Sequence, residues 1–153
     1  MIKILFVCHG NICRSPMAEF IMKDIVKKAG READFQIASA ATSCEERGNP
    51  IYPPARRTLS EHGLSCYGKT AQRMTARDYG EYDMLIGMDR YNIRNMQQIA
   101  GGDPDGKISL LMSHAGHDRI IEDPWYTGRY ETAFHDIELG CKALFKEIIN
   151  ERQ

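Results

Sequence analysis

At 153 residues, with 42% hydrophobic and 27% charged side chains, the chain has the material for one globular domain, a full sheet with helices on both faces. A net charge of −1 without any block of like charges excludes a basic nucleic-acid surface, and no apolar run reaches bilayer length. The five cysteines, Cys8, Cys13, Cys44, Cys66 and Cys141, are odd in number and include no Cys-x-x-Cys, which fits reduced thiols in a cytoplasmic protein without a leader.

The chain opens on Ile2-Lys3-Ile4-Leu5-Phe6-Val7, a short apolar run of the kind that forms a buried parallel strand. Cys8-His9-Gly10-Asn11-Ile12-Cys13-Arg14-Ser15-Pro16 follows, with Ser15 placed as a helix N-cap and Pro16 at the first helical position. A helix is predicted to Ala29, its apolar stripe made of Ala18, Ile21, Met22, Ile25 and Ala29, with Gly30 as its stop. Phe35 to Ala40 is a second strand, so strand, helix and strand form a right-handed βαβ unit in a parallel sheet.

Residues 41–54 carry Gly48, Pro50, Pro53 and Pro54 and read as a loop, followed by a helix from Pro54 to His62. Tyr82 to Met88 is a third strand, Tyr91 to Ile99 a helix, and Ile108 to Met112 a fourth strand. The last helix runs from about Arg129 to Asn150 with Tyr130, Phe134, Ile137, Cys141, Leu144, Phe145 and Ile148 on one face. The pattern predicts a single-domain α/β fold over residues 1–153: an open parallel sheet of about four strands, with a phosphate-binding loop after the first. His114-Ala115-Gly116-His117 has a spacing that metals use, but with no cysteine near it the segment reads as solvated turn histidines. Neither a metal nor a cofactor is called for.

The chemistry concentrates between the first strand and the first helix, at the strand carboxyl ends where open α/β sheets bind ligands. A curled loop ending at a helix N-terminus offers converging backbone N–H groups and partial positive charge, a cradle for a tetrahedral dianion. Arg14 can grip two phosphate oxygens with its planar fork, which a lysine cannot do. The same surroundings favour a thiolate at Cys8, and a thiolate inside an anion cradle is a nucleophile aimed at phosphorus. Asn11 shapes the loop through a left-handed backbone or through side-chain hydrogen bonds.

The stretch from Phe6 to Glu19, FVCHGNICRSPMAE, resembles the signature of the low-molecular-weight protein-tyrosine phosphatases, and Asp123-Pro124-Trp125-Tyr126 resembles that family's second signature. The resemblance spans the chain. It implies a protein-tyrosine phosphatase acting on a tyrosine-phosphorylated protein or peptide and releasing inorganic phosphate, with no nucleic-acid or membrane partner. Cys8 is then the nucleophile, Arg14 the phosphate clamp and Asp123 the general acid that protonates the leaving oxygen. His9, Gly10, Asn11, Ile12, Cys13 and Ser15 line the phosphate side, with Ser15 hydrogen-bonding the Cys8 sulfur; Trp125 and Tyr126 form an aromatic wall. Cys13 is either a small packing residue or, as the family implies, a partner that shields oxidised Cys8 in a disulfide.

Two departures from the family stand out. Lys69 occupies the place of a frequent histidine, where a Lys69–Glu19 ion pair can substitute, and the 41–54 loop offers Cys44, Glu45, Glu46 and Arg47 where many relatives set an aromatic over the substrate. Losing one ring contact is worth roughly 1 kcal/mol. Arsenate reductase uses a similar loop but needs a relay of further cysteines, and no close pair exists outside the loop. A phosphocysteine carrier lacks a general acid, which Asp123 supplies. A protein-arginine phosphatase carries threonine where Ile12 stands, and Ile12 favours an aryl phosphate.

Overall fold

The computed structural model describes residues 1–151 and has four strands: β1 (Ile2–Cys8), β2 (Phe35–Ala41), β3 (Met84–Gly87) and β4 (Ile108–Leu110). All pair in parallel, in the order β2-β1-β3-β4. The helices are α1 (Arg14–Lys28), α2 (Pro53–Glu61), α3 (Ala76–Glu81), α4 (Arg90–Ala100), the single turn α5 (Pro124–Thr127) and α6 (Tyr130–Glu151). Among the described residues no helix is long and apolar enough to cross a membrane.

The alternation of β1 side chains builds two cores. Ile2, Ile4, Phe6 and Cys8 join residues of α1, α2 and α6 on one face, while Leu5 and Val7 join Tyr79 of α3 and Met96 of α4 on the other. Central β1 is therefore apolar on both sides, as its composition requires. The chain leaves β1 for β2 on one side and reaches β3 on the other. The crevice at the carboxyl ends of β1 and β3 is thus the topological switch point of the sheet.

Several expected boundaries move. Arg14 and not Pro16 begins α1; Ser15 is not its cap, since Cys13 holds that position without a side-chain cap bond. Pro16 sits third in the helix, still among the N–H groups that have no intrahelical acceptor, so its ring costs no hydrogen bond. The buried stripe of α1 includes Met17 and Val26, while Ala29 is exposed, and Gly30 ends the helix at φ 69°. The 41–54 loop ends two residues early because Pro53 opens α2. The short α3, with its Thr75–Asp78 capping box, has no counterpart among the predicted elements.

The run 108–112 leaves the sheet after Leu110 and coils into a 3₁₀ turn, Leu111–Ala115, whose Leu111 and Met112 are buried. His114 is not a solvated turn histidine. Its ring lies 2.8 Å from the Ser109 hydroxyl and 2.8 Å from the Glu147 carboxylate, so it joins the sheet edge to α6; His117 is exposed. No group of three or more His, Cys, Asp or Glu side chains is arranged to hold a metal among the described residues.

Gly140 lets α6 approach this turn. A Cβ there would lie 2.6 Å from Leu111 Cγ, which is fully buried and has nowhere to go. Overpacking of this kind costs up to about 3 kcal/mol, against about 1 kcal/mol gained from alanine's helix propensity. Gly140→Ala is expected to lose about 2 kcal/mol and roughly 4–8 °C of melting temperature in a thermal scan. An unchanged melting temperature would mean that the turn can yield.

Candidate active site

Cys8 ends β1, and the chain then curls back on itself. Asn11 takes a left-handed backbone, φ 60°, which asparagine tolerates better than most residues. The segment after β2 takes up the outward carbonyls: Thr42 N–H donates to Cys8 O at 2.9 Å, Ser43 N–H to His9 O at 3.1 Å and Tyr52 N–H to Ile12 O at 2.9 Å. With carbonyls facing out, amides face in. Asn11 N–H and Ser15 N–H point at Cys8 Sγ from 3.3 and 3.4 Å. Cys8 lies on the floor of this nest, 3% exposed, where an anion is solvated by backbone dipoles.

The Asn11 side chain fixes the loop from behind. Its amide nitrogen donates to Ser15 Oγ at 2.8 Å and Ser39 Oγ at 2.9 Å, and its oxygen accepts from Gln72 N–H at 3.2 Å, so the amide has one orientation. Both expected roles of Asn11 are therefore present. Ser15 Oγ, already accepting from Asn11, lies 3.0 Å from Cys8 Sγ and 3.3 Å from the Ala40 carbonyl. The hydroxyl donates to that carbonyl and also stands within hydrogen-bond distance of the sulfur, so the side chain that does not cap the helix lies against Cys8 instead. Ser39 in turn donates to Glu19 at 2.6 Å, and Lys69 Nζ stands 3.6 Å from the same carboxylate, the ion pair expected from the sequence. Lys69 also donates to Ser39 O at 3.0 Å. Burial lowers the Lys69 pKa, with Glu19 working against that shift.

Arg14 closes the loop with its guanidinium almost wholly buried. Nη1 donates to Asp89 at 2.7 Å and to the Ile121 carbonyl at 2.9 Å, and Nη2 lies 3.5 Å from Asp123. Burial opposes its charge, but Cys8, Asp89 and Asp123 together outweigh it and hold its pKa above the ordinary value. Asp89 divides its carboxylate: one oxygen caps α4 through Asn92 N–H at 2.8 Å, the other meets Arg14. The arginine thus rests on a fixed base. Asp123 caps α5 through Trp125 N–H at 3.1 Å, and Pro124 at the first position sets the turn that carries its side chain to the rim.

Cys8, His9, Gly10, Ile12, Cys13, Arg14, Asp123, Trp125 and Tyr126 line one cleft of about 150 Å³, together with Glu45 and Glu46. The structure brings the sequence-derived candidates together there, except that Asn11 and Ser15 lie beneath the loop rather than on its surface. Cys13 is buried beside Cys8; burial, then the neighbouring Cys8 and Asp123 charges, push its thiol up to about 12, against a hydrogen bond from Tyr130. Asp89, Ser39, Gln72, Tyr130 and Tyr52 are functional neighbours that sequence reasoning misses. None carries a local signal, since each meets the loop only through the tertiary fold. Tyr52 belongs to the segment expected to lack an aromatic wall; its ring packs behind Trp125, centroids 4.7 Å apart, and not over the cleft.

Such a site can hold a phosphoryl group between amides and a guanidinium, attack it with sulfur and offer a carboxyl to the departing oxygen. A model of the family described as low molecular weight phosphotyrosine protein phosphatase matches residues 3–153. The chain is 36% identical to low molecular weight protein-tyrosine-phosphatase YfkJ of Bacillus subtilis, covering 100% of this chain and 99% of the relative. It is 38% identical to low molecular weight phosphotyrosine protein phosphatase 1 of Drosophila melanogaster, covering 95% and 96%. The crystal structure of YfkJ superposes with a TM-score of 0.96 over 100% of this chain and 98% of that one. That of DARP, a Drosophila arginine phosphatase, is 31% identical and superposes with a TM-score of 0.88, over 96% and 98%.

Proposed function

Since the chain belongs to the low molecular weight phosphotyrosine protein phosphatase family, we propose that it hydrolyses phosphotyrosine in proteins or peptides through a phosphocysteine. The Cys8 thiolate attacks phosphorus while Arg14 and the loop amides hold the non-bridging oxygens, whose charge they meet without rearranging. The P–O bond to tyrosine breaks, and Asp123 gives its proton to the leaving phenolate. In the second step the Asp123 carboxylate takes a proton from water as that water attacks the phosphocysteine. Inorganic phosphate leaves, and Ser15 donates to the sulfur as it departs as a thiolate. Trp125, Tyr126 and Ile12 receive the phenyl ring. Cys13, buried beside the nucleophile, is the partner that traps oxidised Cys8 as a disulfide. The reading places the enzyme in the cytoplasm, with neither a nucleic acid nor a membrane as partner.

One observation carries the reading: a cysteine sulfur met by two backbone N–H donors, with a buried arginine and a rim carboxyl 3.5 Å from each other. Purified protein assayed against phosphotyrosine, phosphoserine, phosphoarginine and arsenate tests it. Phosphotyrosine should be turned over and the rest left: phosphoserine is too short to lower its phosphate to the floor between Ile12 and Trp125, Ile12 stands where a protein-arginine phosphatase carries threonine, and arsenate reduction lacks a cysteine relay. Faster release from phosphoarginine would assign a protein-arginine phosphatase, and arsenate reduction an arsenate reductase.

A further inference from the structure

Two carboxylates, Glu45 and Glu46, line the cleft together with Trp125 and Tyr126. Glu46 is half-buried, with its stem against the phosphate loop; its Cγ lies 3.4 Å from where a Cβ on Gly10 would stand. Asn49 Nδ2 donates to its carboxylate at 2.6 Å and holds it in place. Glu45 is exposed, its carboxylate 3.2 Å from His9 Nε2. A neutral amide orients a charge without cancelling it. Glu46 therefore presents a carboxylate whose hydrogen-bond partner is neutral at the mouth of a pocket meant for a dianion.

The loop amides serve the phosphoryl group on the floor, and the cationic side chain of the loop is not free to offset carboxylates at the mouth. The buried guanidinium of Arg14 is already opposed by Asp89 at 2.7 Å. A phosphate monoester descending past Glu45 and Glu46 is repelled by both, and the uncharged Trp125–Tyr126 wall gives nothing back. Such a rim selects for a substrate that carries its own cations on that side.

We propose that Glu45 and Glu46 are specificity-determining residues that select phosphotyrosine flanked by lysine or arginine in the substrate chain. The proposal rests on the phosphotyrosine reading given above. The phosphoryl group goes to the Cys8 nest and the ring to the Trp125 wall. A basic side chain one or two residues away pairs with the carboxylates and removes their repulsion. Like-charge contacts at a rim act mainly on encounter and on the choice of partner.

Kinetics with two phosphotyrosyl peptides, alike except for lysines or glutamates beside the phosphotyrosine, test the proposal, with p-nitrophenyl phosphate as an unflanked control. Exposed pairs contribute modestly, so wild type should show about tenfold higher kcat/KM for the basic peptide, a ratio that shrinks as salt is raised. The Glu45→Gln/Glu46→Gln variant, in which the new amide oxygen beside Asn49 can still accept its hydrogen bond, should bring the ratio close to one. Equal kcat/KM for the two wild-type peptides, or a ratio unchanged in the variant, overturns the proposal and leaves the phosphatase reading intact. Failure of wild type to hydrolyse p-nitrophenyl phosphate overturns the phosphatase reading itself.

Discussion

Cys8→Ser is expected to abolish turnover of both phosphotyrosine and p-nitrophenyl phosphate while phosphate or vanadate still binds. Serine fits the same space, and the Asn11 and Ser15 amides that point at the sulfur remain to receive an anion. What goes is the ionised nucleophile, since a hydroxyl in this nest has no base to take its proton. Loss of a nucleophile in a hydrolase costs on the order of 10⁶-fold. Steady-state kinetics beside phosphate or vanadate titration separates the two properties. Activity well above the level of contamination would show that sulfur is not the attacking atom, and lost binding would show that the loop had collapsed.

Asp123→Asn tests mechanism rather than mere importance. A general acid contributes about 10²–10⁴-fold, and in proportion to the basicity of the leaving group. The variant should lose a factor in that range on phosphotyrosine, whose phenolate is basic, and far less on p-nitrophenyl phosphate, whose leaving group departs unaided. Single-turnover measurement of the first step keeps the comparison clean. Asparagine retains an oxygen to accept from Trp125 N–H, so the α5 cap survives and the loss belongs to the proton. Equal losses on both substrates would make Asp123 a structural residue and send the search for the acid elsewhere.

What can be read in advance follows the range of the interactions. Strand β1, the loop and α1 are adjacent in sequence and announce themselves through apolar run, turn residues and helix pattern. Cys8 and Arg14 can be chosen by the chemistry their residue types can do in a strand–loop–helix, whereas Asp123 before a proline reads locally as a turn and stands out only through the resemblance of Asp123–Tyr126 to the family's second signature. Ser15 reads as a helix cap because a serine before a proline has that local pattern, and nothing local reveals a sulfur seven residues back competing for its hydroxyl. Asp89 is 75 positions from Arg14, and as a helix cap it has a sufficient local reason to exist. The strand at 108–112 reads too long because burial, not extension, makes Leu111 and Met112 apolar. The capping box before α3 is in plain view, but a six-residue helix containing Gly80 gives little periodicity to support it.

Tyr52 has a consequence for motion. Its backbone N–H is bonded to Ile12 of the phosphate loop, and its ring leans on Trp125, next to the general acid candidate. The phosphate loop and the turn that carries Asp123 therefore share one mechanical joint. An outward swing of Trp125 must first break its tilted contact with Tyr52, and displacement of Tyr52 pulls on the carbonyl that keeps the loop curled. Such a joint is expected to correlate the fluctuations of the two parts, so that the gap between sulfur and carboxyl varies less than either part does alone. A free loop carrying Asp123 would spend most of its time out of reach of the leaving oxygen. Coupled to Tyr52 through Trp125, it is held to the side of the loop that binds phosphate.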